Sequence, residues 1–127
     1  MLMAANTSEP MTIHIKNLRL RTIIGIHDWE RDQLQDVIIN IKFDYEGRYA
    51  IQSDRIEDTV DYKKITKRII DMVNESSFFL LDALAGRILD LVLKEEGVIH
   101  ATVEVDKPHA LRFADSVSIT CSGSRET

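Results

Sequence analysis

VIINIKFDY, residues 37–45, alternates without interruption. Val37, Ile39, Ile41, Phe43 and Tyr45 fall on one side of an extended chain; Ile38, Asn40, Lys42 and Asp44 fall on the other. Side chains of a strand point alternately to opposite faces, so this stretch predicts a strand with one face on a core. Upstream, residues 12–22 read as a second strand whose apolar phase slips at Asn17, where a bulge is expected. The connector between them, IIGIHDWERDQLQD at 23–36, is too long for a tight hairpin, and long ordered connectors in small domains are often functional.

Downstream the period changes. Ile65, Ile69, Met72 and Val73 make a helical stripe starting near Asp61, with Lys63, Lys64, Lys67 and Arg68 on the wet side. The pattern breaks at 74–77. A second helix is expected from about Phe79 to Glu95, stopped by Gly97. IHATVEVDK at 99–107 returns to alternation, with Ile99, Ala101, Val103 and Val105 assigned to the core face, and ends at Pro108. A last strand at about 116–122 carries Val117, Ile119 and Cys121 on one face. The order is ββααββ. The expected fold class is α+β: a four-stranded antiparallel sheet with two helices on one face. Such a sheet leaves its edges open, and open edges invite other copies of the chain into a ring. Residues 11–122 form the expected single domain, with tails at 1–10 and 123–127.

Composition narrows the function. The chain has 127 residues and a net charge of −5. The acidic balance argues against nucleic acid as main partner, while leaving room for a local basic pocket. Cys121 is the one cysteine; it excludes an intrachain disulfide, reads as a buried core thiol and suits a reducing compartment. No apolar run is long enough to span a membrane, and residues 1–10 lack a signal-peptide pattern, so a cytoplasmic location is expected. His14, His27, His100 and His109 form no close pair, so no metal site is expected.

What could carry chemistry is a set of polar groups at element ends. Lys107 sits where a rigid strand stops. Glu30 lies in the connector, beside a Trp29 read as a wedge that orders it. Tyr62 opens the first helix. Asp82 interrupts FFLLDALA near the start of the second helix, where the helix dipole favours a carboxylate. Taken singly, each has an ordinary structural explanation: a solvated lysine, a loop acid, a packing aromatic, a first-turn acid facing water.

Taken together, these positions resemble the dihydroneopterin aldolase and epimerase family. KNLRLRTIIGI at 16–26, TVDYKKI at 59–65, FLLDALAGRI at 79–88 and DKPHALRFADSVSIT at 106–120 carry the resemblance over nearly the whole chain. The last segment is more similar to dihydroneopterin triphosphate 2′-epimerases; HDWE at 27–30 is more similar to aldolases. The resemblance implies a tunnelling fold, with sheets joined into a barrel, rings that often stack into an octamer, and active sites between subunits. It implies a dihydropterin substrate and no metal or organic cofactor. Lys107 matches the acid–base lysine, Glu30 the connector glutamate that organises the substrate side chain, and Tyr62 the tyrosine supplied by a neighbour. Asp82 stands where the family has a glutamate that grips the pterin, one methylene shorter. Arg112, His109 and Arg21 are candidate triphosphate contacts. Epimerisation is the preferred activity, aldol cleavage the alternative, and silent pterin binding a third.

Overall fold

The computed structural model describes residues 9–126. Four strands make one antiparallel sheet in the order β1-β2-β3-β4: β1 Met11–Thr22, β2 Gln35–Tyr45, β3 Val98–Pro108 and β4 Ser116–Ser124. Between β2 and β3 lie a short helix α1, Arg48–Ser53, and two main helices, α2 Tyr62–Glu75 and α3 Leu81–Leu93. The expected tail at residues 1–10 lies mostly outside the described residues.

The alternation at 37–45 behaves as its chemistry requires. Val37, Ile39, Ile41 and Phe43 are buried, facing Ile65, Ile69 and Val73 of α2 and Leu84, Ile88 and Val92 of α3. α2 packs over β1, and α3 over β3 and β4, so both helices cover the same sheet face. Asp61 caps α2, its carboxylate accepting from the Lys63 and Lys64 amides at 3.0 and 3.3 Å. The phase slip at Asn17 is a bulge: register shifts between Ile15 and Leu18, and Asn17 takes φ 53°. An amide pair locks it. The Asn17 amide donates to Asn40 Oδ1 at 2.9 Å, and Asn40 Nδ2 donates to Asn17 Oδ1 at 3.2 Å.

Several expectations need correction. The sequence pattern predicts two helices; among the described residues there are three, α1 being the addition. α3 starts at Leu81 because Leu80 is extended (φ −119°, ψ 141°), and it ends at Leu93. In β3, Val98 rather than Ile99 enters the core: register shifts beside Tyr45, Val98 pairs with Tyr45, and Ile99 is left 45% exposed. Cys121 is only partly buried, because β4 is an edge strand. Burial, and then the nearby Asp90 carboxylate, push its thiol pKa up. Among the described residues, no helix is long and apolar enough to cross a membrane.

Candidate active site

The connector from β1 to β2 is not loose. Gly25, at φ +136°, turns the chain in a conformation that L side chains avoid. A single 3-10 turn, Asp28–Asp32, then brings Glu30 inward until it is 3% exposed. A Cβ at Gly25 would fall on the Glu30 carboxylate, so glycine is needed there for space as well as for φ.

Lys107 approaches from the other side. It shares the inward face of β3 with Val103 and Val105 and lies at the strand's end. Its ammonium donates to Glu30 Oε2 at 2.6 Å, joining residues 77 positions apart. Gln35 Nε2 donates to the same oxygen at 3.0 Å and to the Ile24 carbonyl at 2.7 Å. The His27 amide donates to Glu30 Oε1 at 3.1 Å. Burial by itself would raise the Glu30 pKa. The bonds from Lys107, Gln35 and the His27 amide, with the Lys107 charge, outweigh it and hold the carboxyl down at about 2.

This pair sits in a cavity of about 470 Å³. Buried Glu30 and partly buried Lys107 meet exposed Trp29, Phe79, Asp82 and His109 along its walls. Asp82 projects from the first turn of α3 and is exposed, as a first-turn acid facing water is. Trp29 does not wedge the connector; it is 58% exposed along the cavity. His109 takes φ 64° where β3 breaks into the loop leading to β4.

Three expected residues stand apart. Tyr62 is exposed at the start of α2, whereas the far end of that helix leads to the cavity wall at Phe79. Fourteen helical residues span about 20 Å, so Tyr62 cannot serve the cavity of its own chain. Arg112 lies in the β3–β4 loop outside the cavity, its guanidinium 5.7 Å from the ring centre of Phe113. Arg21 is tied to Asp36 at 3.1 Å and to the Leu34 carbonyl at 3.0 Å. Conversely, Gln35 and Gly25 belong to the site and were not singled out. The lone glycine before HDWE was the available signal for one; Gln35 reads as an ordinary strand-start polar residue.

A second cavity, about 550 Å³, opens near α1 and the start of α2. Its buried acid, Glu95, is already paired with Arg68 at 2.7 Å and Lys64 at 3.5 Å, which makes it a brace between helices. Among the described residues, no group of three or more His, Cys, Asp or Glu could hold a metal ion.

A buried carboxylate bonded to a lysine at the end of an antiparallel sheet, facing an open cleft with a second carboxylate on its rim, gives this α+β chain a candidate site suited to a small polar molecule. The chain belongs to the dihydroneopterin aldolase family, whose model matches residues 13–122. It is 50% identical over 113 residues to a Pseudomonas aeruginosa protein named dihydroneopterin triphosphate 2′-epimerase, covering 89% of this chain and 92% of that one. It is 46% identical over 113 residues to the Escherichia coli protein of that name, covering 89% and 94%. Against the Escherichia coli protein named dihydroneopterin aldolase, identity is 26% over 107 residues, covering 84% and 88%. The fold matches the crystal structure of Escherichia coli dihydroneopterin aldolase in complex with neopterin, with TM-score 0.86, 24% identity and coverage of 90% and 99%. The tunnelling fold expected from the sequence is therefore the fold of this chain.

Proposed function

We propose that the chain is a dihydroneopterin triphosphate 2′-epimerase. The observation that carries this reading is a contrast within one organism: identity is 46% to the Escherichia coli epimerase and 26% to its aldolase. Family membership alone allows either activity.

The chemistry follows from the cavity. Asp82 accepts hydrogen bonds from the amino-amide edge of the dihydropterin, which lies between the exposed rings of Trp29 and Phe79. The side chain then extends toward Lys107 and Glu30. Lys107 and Tyr62, the latter from a neighbouring copy, exchange protons with the substrate. Removal of the proton from the second side-chain hydroxyl lets the bond between the first and second side-chain carbons break. Its electron pair moves into the ring imine, giving an enamine and an aldehyde fragment. The fragment turns, the enamine re-adds to its other face, and the hydroxyl regains a proton. The second side-chain carbon is inverted with atoms and electrons conserved. Because the substrate's imine is the electron sink, the step calls for no metal or organic cofactor. Glu30, held as a carboxylate, orients Lys107 and the side-chain hydroxyls.

His109 lines the cavity, and Arg112 follows three residues later in the same loop; both serve the triphosphate in this reading. The unpaired edges of β1 and β4 join neighbouring copies into a tetrameric ring, and rings stack into an octamer. The cytoplasm is the proposed location.

A chromatographic product assay tests the proposal. Purified protein is given 7,8-dihydroneopterin and its triphosphate separately. Conversion of the triphosphate mainly to its 2′-epimer is expected. Dominant release of 6-hydroxymethyl-7,8-dihydropterin and glycolaldehyde from the unphosphorylated compound would make it an aldolase. Absence of turnover in both would leave a binding protein. Arg112→Ala should raise KM for the triphosphate more than for dihydroneopterin; equal effects remove Arg112 from the substrate site.

A further inference from the structure

Arg31 follows Glu30 in the same 3-10 turn but is directed elsewhere. Its guanidinium donates to the Gly25 carbonyl at 2.9 Å, the Phe78 carbonyl at 3.1 Å and the Ser77 carbonyl at 2.5 Å. All three bonds go to main-chain oxygens. The group also lies 3.9 Å from the ring centre of Phe79. Two segments 46 and 47 residues apart are thereby joined by one side chain. The only other direct main-chain link described between them is the Gly25 amide donating to the Phe78 carbonyl at 3.2 Å.

Both segments line the cavity. The connector carries Gly25, Trp29 and Glu30; the α2–α3 loop carries Phe79 and leads directly to Leu80, Leu81 and Asp82. Only a planar guanidinium offers several N–H groups in a fixed fork together with a face that stacks on an aromatic ring. We infer that Arg31 is a positioning residue: it sets the separation between the Glu30–Lys107 pair and the Phe79–Asp82 wall, and so controls how tightly the cavity grips a flat bicyclic ligand. This rests on the reading of the cavity as a pterin site. Arg31 does not touch the acid–base pair, which is held by Gln35, the His27 amide and β3. Its removal should therefore act on binding rather than on proton transfer.

Trp29 is the single tryptophan of the chain and lines the cavity, so its fluorescence reports occupancy. Titration with 7,8-dihydroneopterin should give a Kd about tenfold higher in Arg31→Met than in the wild type, as expected for lost charge-assisted bonds. Arg31→Lys, which keeps the charge but not the fork or the plane, should fall between. KM should rise in the same order, kcat should stay within about threefold, and the pH dependence of kcat should not move, because the proton-transfer groups keep their bonds. Unchanged Kd and KM in folded Arg31→Met would overturn the inference, as would a fall in kcat with Kd unchanged. If Arg31→Met does not fold, a wild-type Kd in Arg31→Lys is the overturning result. If the wild-type protein itself binds no pterin, the functional reading fails and this inference falls with it. Binding by the wild type with equal binding by the variants removes Arg31 alone.

Discussion

Lys107→Met tests the centre of the site without assuming any reaction. The substitution keeps an unbranched side chain of similar length and removes the ammonium 2.6 Å from Glu30. Glu30 is 3% exposed and stays buried after the change. In the wild type its pKa is about 2 in the folded protein, against an ordinary value of 4.5. A carboxyl whose pKa is depressed by folding adds stability that is fully present above the unfolded value. That stability is lost as pH falls through the folded one. The difference between these values corresponds to about 3 kcal/mol, similar to the cost of breaking a buried ion pair on one side. In the variant, Gln35 and the His27 amide still bond to Glu30, but burial works against the charge with no cation to offset it.

The expected result is a loss of about 3 kcal/mol in urea unfolding at neutral pH, measured at one fixed protomer concentration because assembly contributes to stability. The loss should shrink as pH falls. By about pH 3 the wild type has itself given up about 2 kcal/mol of the Glu30 contribution, so the two proteins converge. A difference that is independent of pH, or smaller than about 0.5 kcal/mol at neutral pH, would refute the claim that a buried, ionised Glu30 is held by Lys107.

Gly25→Ala should abolish turnover and lower Tm by several degrees: it forces a left-handed φ on alanine and puts a methyl group where the Glu30 carboxylate lies. Activity and thermal unfolding check it; a fully active variant would show that the connector can reach Glu30 by another path. Asp82→Ala should raise the Kd for 7,8-dihydroneopterin about tenfold or more with little change in Tm, since Asp82 is exposed in the chain and its proposed partners are on the ligand. Unaltered quenching of Trp29 would move the pterin anchor elsewhere.

The sheet was legible because strand alternation reports burial directly: Val37 to Tyr45 and Ala101 to Val105 face the core as read. Val98 and Ile99 were not separable, since both are apolar and only the register shift opposite Tyr45 decides which one turns in. α1 escaped because Arg48–Ser53 is too short to develop an apolar stripe, and none of its residues is buried. At the site, Lys107 and Glu30 could each be named, but not their bond, which joins positions 77 residues apart. Arg31 and Gln35 were opaque for a related reason. Their importance lies in carbonyl oxygens and a carboxylate brought close by the fold, and nothing in a one-dimensional spacing marks a side chain that bonds mainly to main chain.

The position of Tyr62 turns the proposed assembly into a quantitative test. The cavity and Tyr62 lie at opposite ends of α2, about 20 Å apart, so one chain cannot close a site containing both. In a ring, the repeated head-to-tail contact lets each copy lend its α2 start to the next. Lys107→Met and Tyr62→Phe homomers should then each be nearly inactive, for different reasons at every site. Co-assembled from equal amounts of the two chains, a site is intact only when its cavity comes from the Tyr62→Phe chain and its tyrosine from the Lys107→Met chain. Each choice has even odds, so about a quarter of the sites, and about a quarter of wild-type activity, should return. Mixing without subunit exchange should return none. If co-assembled heteromers, verified by two affinity tags, stay as inactive as their parents, Tyr62 is not donated across the interface and the proton-transfer role assigned to it is lost.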